Sequence, residues 1–186
     1  MSTSEPSARR HADVLVVHAS RHGGTAGIAV VVADELRAQG LTVDVATAAD
    51  ASADDVSLAG YRAVVLGSAL YAGRWRRDAV RFLRRHAVML RGRQVWLFQS
   101  GPCGPGAGRR AEAGEPEPTV VRRLREDVDA APTVTFGGVL DPATARGFPA
   151  RRMARGELGG DYRDDDRVRE WARTVAAHLR PVAPAA

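Results

Sequence analysis

The apolar run Val14-Leu15-Val16-Val17-His18-Ala19 ends at Ser20-Arg21-His22-Gly23-Gly24-Thr25 and then enters a helical pattern through Ile28, Val31, Val32 and Leu36. A strand, a turn with two hydroxyls and two glycines, and a helix together write a phosphate cradle. The glycines let successive N–H groups point inward, and the helix N-terminus adds partial positive charge. Such a turn holds an anion without a lysine. All 27 residues counted as Lys+Arg are arginine, which excludes the G-x-x-x-x-G-K-[ST] loop of nucleoside triphosphatases; a dinucleotide-binding G-x-G-x-x-G is also missing here. A Gly-Gly turn also serves merely to join two elements, but the hydroxyls of Ser20 and Thr25 favour the anion.

Two further segments follow apolar runs directly. Gly67-Ser68-Ala69-Leu70-Tyr71-Ala72-Gly73-Arg74-Trp75 combines small residues with aromatics, and Ser100-Gly101-Pro102-Cys103-Gly104 offers mainly backbone. With the phosphate turn they make the equipment for a flat heterocycle that bears a phosphate, and flavin mononucleotide (FMN) is the obvious cofactor.

These segments must be positioned by a fold. At 186 residues the chain suits a single domain. Strands are expected near Asp13–His18, Leu41–Ala46, Arg62–Gly67, Gln94–Ser100 and Thr133–Gly138. Several are continuous apolar runs, the mark of parallel strands covered on both faces. Helical spacing recurs at Val120, Val121, Leu124 and Val128, and at Val168, Trp171, Ala172, Val175 and Leu179 after a cap among Asp164, Asp165 and Asp166. The alternation predicts a doubly wound α/β domain over residues 13–180, with its ligand at the C-terminal ends of the strands. Residues 1–12 and 181–186 read as frayed tails. No run approaches the roughly 18 apolar residues of a membrane span, and one cysteine precludes an intrachain disulfide, so a cytoplasmic location is expected.

From about Val14 to Leu179 the chain resembles the flavodoxin-like FMN proteins, and within them the branch containing menaquinone-dependent protoporphyrinogen oxidase. Ser20-Arg21-His22-Gly23-Gly24-Thr25 maps onto the family's [ST]-x-T-G-x-T phosphate loop, with His22 in place of the middle threonine. The resemblance implies a five-stranded parallel sheet in the order 2-1-3-4-5. It also implies that Ser68, Ala69, Leu70, Tyr71 and Gly73 on one side, and Ser100, Gly101, Pro102, Cys103 and Gly104 on the other, flank the flavin ring. Phe136-Gly137-Gly138 and Gly160-Asp161-Tyr162-Arg163 resemble the later part of the oxidase branch more than simple shuttles. The function implied is an FMN oxidoreductase linked to protoporphyrinogen or a quinone. The alternative is a flavodoxin-type electron carrier with no small substrate of its own, and a third reading is a binding module that has lost the flavin.

Among the individual residues, Tyr71 is the better candidate for stacking on the ring, because Trp75 also falls on the apolar face of the following helix. Cys103 reads more readily as an inert small residue than as a redox group. No constellation demands covalent catalysis, so no catalytic residue is named. The carboxylates Asp161, Asp164, Asp165 and Asp166 suit helix capping better than metal binding.

Charge is the second signal. The formal net charge is +5 and the isoelectric point about 10.5, whereas electron-shuttle flavodoxins are typically acidic. Helical projection gathers Trp75, Ala79, Phe82, Leu83, His86 and Leu90 on one side and Arg74, Arg77, Arg81, Arg84 and Arg85 on the other. The arginines form either a solvated face or a docking surface for an anionic substrate or lipid headgroup layer, the latter placing the protein peripherally on the inner face of a membrane. No nucleic-acid partner is expected, since no binding motif accompanies them. Arg146, Arg151, Arg152 and Arg155 extend the patch on a segment expected to cover the site. Cationic surroundings would stabilise a reduced flavin and make it an electron acceptor.

Overall fold

A computed structural model describes residues 12–53, 58–145 and 147–179. The expected tails lie outside these residues except for Ala12, which is buried, and Arg146 lies outside them as well. In chain order the elements are β1 (Val14–Ala19), α1 (Gly24–Ala38), β2 (Val43–Thr47), α2 (Asp50–Ala53), a short 3-10 turn (Leu58–Gly60), β3 (Ala63–Tyr71), β4 (Arg74–Trp75) and α3 (Arg77–Leu90). Then come β5 (Gln94–Ser100), α4 (Ala107–Ala113), α5 (Thr119–Asp127), β6 (Val134–Phe136), β7 (Val139–Leu140), α6 (Phe148–Ala154), β8 (Gly160–Asp161) and α7 (Asp165–Leu179).

The principal sheet runs β2-β1-β3-β5-β6, all parallel, which is the expected order 2-1-3-4-5 when only these five strands are counted. Its strands are apolar on both faces for a physical reason. Leu15, Val17, Val64, Leu66, Val95 and Leu97 meet Phe82, Leu83 and Leu90 of α3 and Val121 of α5. The alternate residues Val14, Val16, Ala63, Val65 and Phe98 meet Ile28, Val32 and Leu36 of α1 and Val168, Ala172 and Val175 of α7. Burying each valine, leucine, isoleucine or phenylalanine among them contributes roughly 1.5–3 kcal/mol, which is why period-2 alternation is lost in a sheet covered on both sides.

The third strand is longer than expected. Gly67-Ser68-Ala69-Leu70-Tyr71 is not a loop; it continues β3, pairing Gly67 with Phe98, Ser68 with Gln99 and Ala69 with Ser100. Small residues stand there because the Phe98 ring occupies the space beside Gly67, where a Cβ would lie 2.0 Å from the ring. Ala72 and Gly73, both with positive φ (46° and 68°), then turn the chain back as a two-residue hairpin into β4. Trp75 consequently lies on β4 and not on the helix, which starts at Arg77. It is nonetheless core, 5% exposed, and its indole N–H donates to Gln99 Oε1 at 2.9 Å. Arg74 likewise lies on β4, exposed. Along α3 the projection holds: Ala79, Phe82, Leu83, His86 and Leu90 are buried, and Arg77, Arg81, Arg84 and Arg85 are exposed.

The expected fifth strand, Thr133–Gly138, is shorter, and the chain leaves the sheet at Gly137-Gly138 to form β7 and β8, a separate antiparallel pair flanking α6. Asp164 caps α7, its carboxylate accepting from the Arg167 N–H at 3.0 Å. Asp161 instead pairs with Arg163, at 2.6 Å.

Candidate functional site

The C-terminal ends of β1, β3 and β5 converge on one cavity of about 380 Å³. The turn after β1 brings Ser20, Arg21, His22, Gly24 and Thr25 to its wall, the end of β3 brings Ala69, Leu70 and Tyr71, and the segment after β5 brings Ser100, Gly101 and Cys103. Three segments that are far apart in sequence thus meet as expected, because parallel strands all deliver their C-terminal ends to the same edge.

Five expected residues stand back from the wall. Gly23, at φ 86°, makes the left-handed bend that starts α1. Ser68 is fully buried, and its hydroxyl accepts from the Arg76 N–H, tying β3 to the start of α3. Gly73 belongs to the hairpin turn, the Pro102 carbonyl accepts from the Gly138 N–H, and Gly104 packs against Leu158.

The turn carries open hydrogen-bonding groups. The Ser20 hydroxyl is buried with no hydrogen-bond partner among the described residues. Leaving such a group unsatisfied costs about 1–3 kcal/mol, so its presence in a cavity wall points to a ligand. Beside it α1 begins with no side-chain cap and no acidic residue in its first turn, leaving its first N–H groups open. Thr25 Oγ1 lies 2.7 Å from Ser100 Oγ, so the two hydroxyls share one hydrogen bond and retain one hydrogen for a ligand. His22 lines the cavity and also reaches the chain that covers it. Its Nδ1 is 3.0 Å from the Thr144 carbonyl, and its ring meets Tyr71 edge-on at 5.9 Å. It therefore anchors the turn to the chain that covers it.

That cover was only partly legible. Gly138, Val139, Leu140, Ala150, Met153 and Leu158 complete the cavity wall, and only Gly138 and the general position of α6 carried a sequence signal. The apolar residues stand singly in a polar stretch. Their sequence signature is the Gly137-Gly138 pair, where a Cβ on Gly137 would lie 1.8 Å from the Tyr162 carbonyl oxygen. The two glycines let the strap cross the sheet edge at backbone contact.

Burial pushes the Cys103 thiol up, against a smaller opposing pull from Arg110, so it is protonated at neutral pH and a poor nucleophile. Burial likewise raises the Tyr71 hydroxyl, with Arg21 opposing. His18, at the end of β1, is held below the ordinary imidazole value by burial and is neutral at neutral pH. The site thus has a polar end at the Ser20–Thr25 turn and an apolar body, with Cys103 held in its less reactive thiol form.

Comparison with solved structures returns the same architecture. Oxidised flavodoxin 2 from Bacillus cereus superposes with a TM-score of 0.59 at 18% identity, over 89% of this chain and 99% of that one. The flavodoxin of Streptococcus pneumoniae TIGR4 gives 0.55 at 20% identity, over 89% and 98%. A cysteine-to-serine mutant of the Pseudomonas aeruginosa flavodoxin gives 0.55 at 15%, over 90% and 99%. At these identities the likeness concerns the fold. No curated protein sequence matches the chain. No helix among the described residues is long and apolar enough to cross a membrane. The family model of the flavodoxin domain matches residues 15–142, more than half the chain and every segment of the phosphate turn and its neighbours. The chain belongs to the flavodoxin domain family, whose cofactor is a flavin.

Proposed function

We propose that the protein binds FMN in this cavity and works as a flavodoxin-type electron carrier with no small-molecule substrate of its own. The observation that carries the reading is the unpartnered Ser20 hydroxyl in the wall of a cavity that also holds the open N-terminus of α1. In this reading Ser20, Thr25 and the N–H groups of Gly24 and Thr25 hold the phosphate, and Arg21 adds positive charge. Leu70 and Tyr71 border the ring on one side and Gly101 and Cys103 on the other, with Leu140, Met153 and Leu158 excluding water. FMN, when bound, supplies one- and two-electron redox chemistry with its accompanying protons. Everything else is orientation, shielding and charge.

Cavity size favours the carrier. A volume of about 380 Å³ sits near the lower end of the roughly 300–1,000 Å³ typical of small-molecule sites, the size of a site for one small ligand rather than for two enclosed together. The second reading, a protoporphyrinogen- or quinone-linked dehydrogenase, draws support from the apolar cover and from Gly137-Gly138 and Gly160–Arg163. Anaerobic incubation of FMN-loaded protein with protoporphyrinogen IX and a menaquinone separates the two. The carrier yields no porphyrin fluorescence above a flavin-free blank. Sustained porphyrin formation at many turnovers per flavin overturns it in favour of the dehydrogenase.

A further inference from the structure

We propose that an arginine groove running from the rim of the cavity along α3 is a docking surface for the acidic face of a partner protein, an inference that rests on the carrier reading. The groove has two adjoining depressions. One of about 330 Å³ is lined by Arg21, Tyr71, Arg74, Trp75, Arg77 and Asp78 among others. The next, about 710 Å³, shares Trp75 and Arg77 and continues to Val80, Arg81, Arg84 and Val120. Arg21 and Tyr71 also line the cofactor cavity, so the groove and the site have a common wall. A partner seated in the groove touches the rim of the flavin site.

Four arginines of the groove carry charge that no described carboxylate balances. Arg74, Arg77, Arg81 and Arg84 are exposed and make no ion pair or side-chain hydrogen bond among the described residues. The carboxylate in the groove, Asp78, is already taken by Arg76 at 3.1 Å. A row of like charges repels itself, and carboxylates inserted between the guanidinium groups relieve that repulsion through charge-assisted, bidentate hydrogen bonds. The same field steers an acidic partner toward the rim before contact.

Shape selects a protein over a lipid surface. Interfacial helices bury projecting aromatic and leucine side chains in the bilayer, whereas the aromatic residue shared by both depressions, Trp75, is 5% exposed and forms the groove floor, and the exposed Phe148 and Met153 stand on α6 outside both depressions. The exposed large apolar residue of α3, Val88, lies outside both depressions. A concave, arginine-walled channel fits a protruding acidic segment; a flat headgroup layer does not enter it.

The test uses the full chain, flavin-loaded and flavin-free, with an acidic plant-type [2Fe–2S] ferredoxin as the probe and vesicles of equimolar phosphatidylglycerol and phosphatidylcholine in parallel. Arg77→Glu/Arg81→Glu is compared with Arg109→Glu/Arg122→Glu, which makes the same charge change at exposed arginines that line neither depression nor the cavity. The expected result is ferredoxin binding that weakens roughly tenfold or more in the groove variant, changes by less than about twofold in the control, and falls as salt shortens the screening length to a few ångströms. Thermal midpoints of all forms are read alongside, so that unfolding is not mistaken for lost docking. No ferredoxin binding by the wild type, equal binding by the groove variant, or vesicle co-sedimentation that the groove variant abolishes without any ferredoxin binding overturns the proposal. Docking that persists in a protein indifferent to FMN removes the carrier reading and leaves the groove; a normal flavin with no docking removes the groove alone.

Discussion

Phe98→Ala lowers the stability of the domain by roughly 3–5 kcal/mol, the range for deleting a fully enclosed aromatic side chain. Phe98 is completely buried on β5. Its ring fills the space above Gly67 and meets Phe136 edge-on at 5.8 Å and Trp171 at 5.9 Å. Those three rings are where the sheet, α7 and the last parallel strand meet, so no neighbour can collapse into the vacancy without moving a second ring. The reverse change, Gly67→Ala, places a methyl 2.0 Å from Phe98 Cζ and costs about 1–3 kcal/mol by overpacking. Combined, the two changes cost less than their sum, because the alanine methyl occupies volume the ring has left. Urea unfolding of the four proteins measures the cycle. Strict additivity would show that Gly67 is small for some reason other than the ring.

Gly137→Ala detaches the cover of the cavity. Here the obstacle is backbone, since the new Cβ would sit 1.8 Å from the Tyr162 carbonyl oxygen and 2.7 Å from its carbon. A side chain could rotate away; a carbonyl held next to the β7–β8 ladder cannot. The Tyr162 N–H donates to the Gly138 carbonyl at 3.0 Å, and Val139 and Leu140 pair with Asp161 and Gly160, so displacing Tyr162 unzips the pair that suspends α6. The expected outcome is a loss of about 1–3 kcal/mol or more, together with faster tryptic cleavage at the exposed Arg151, Arg152 and Arg155 and FMN affinity reduced by roughly tenfold as the roof opens. Limited proteolysis and flavin titration read the two effects separately. Unchanged cleavage with normal affinity would mean that the crossing tolerates a Cβ and that the strap is not held where the structure puts it.

Particular residues show what the sequence could and could not disclose. The doubly wound sheet was legible because strands sandwiched between helix layers must be apolar on both faces, and Val14–Val17 and Ala63–Leu66 have no other economical explanation. The α3 faces were legible because helical periodicity separates Phe82 and Leu83 from Arg81 and Arg84 without reference to any partner. The extension of β3 through Tyr71 was hidden, since small residues that exist to admit Phe98 from a neighbouring strand look like a loop when read along the chain. The role of His22 was hidden for a similar reason: its hydrogen-bond acceptor, Thr144, is distant in sequence. The roof of the cavity depends on Leu140, Met153 and Leu158, which show no period because β7, α6 and β8 are each too short to write one. Local pattern reports local geometry, and the cover is a tertiary construction.

The most direct measurement is a titration of the flavin-free protein with FMN, followed by visible absorption and flavin fluorescence, alongside Gly23→Ala/Thr25→Ala. The double variant strains the left-handed bend at φ 86° and removes a hydroxyl from the cavity wall. The account predicts a stoichiometric yellow complex with quenched fluorescence, weakened roughly tenfold to a hundredfold in the variant through the loss of one or two hydrogen bonds to a charged group. A colourless protein whose addition leaves FMN absorption and fluorescence unchanged would contradict it.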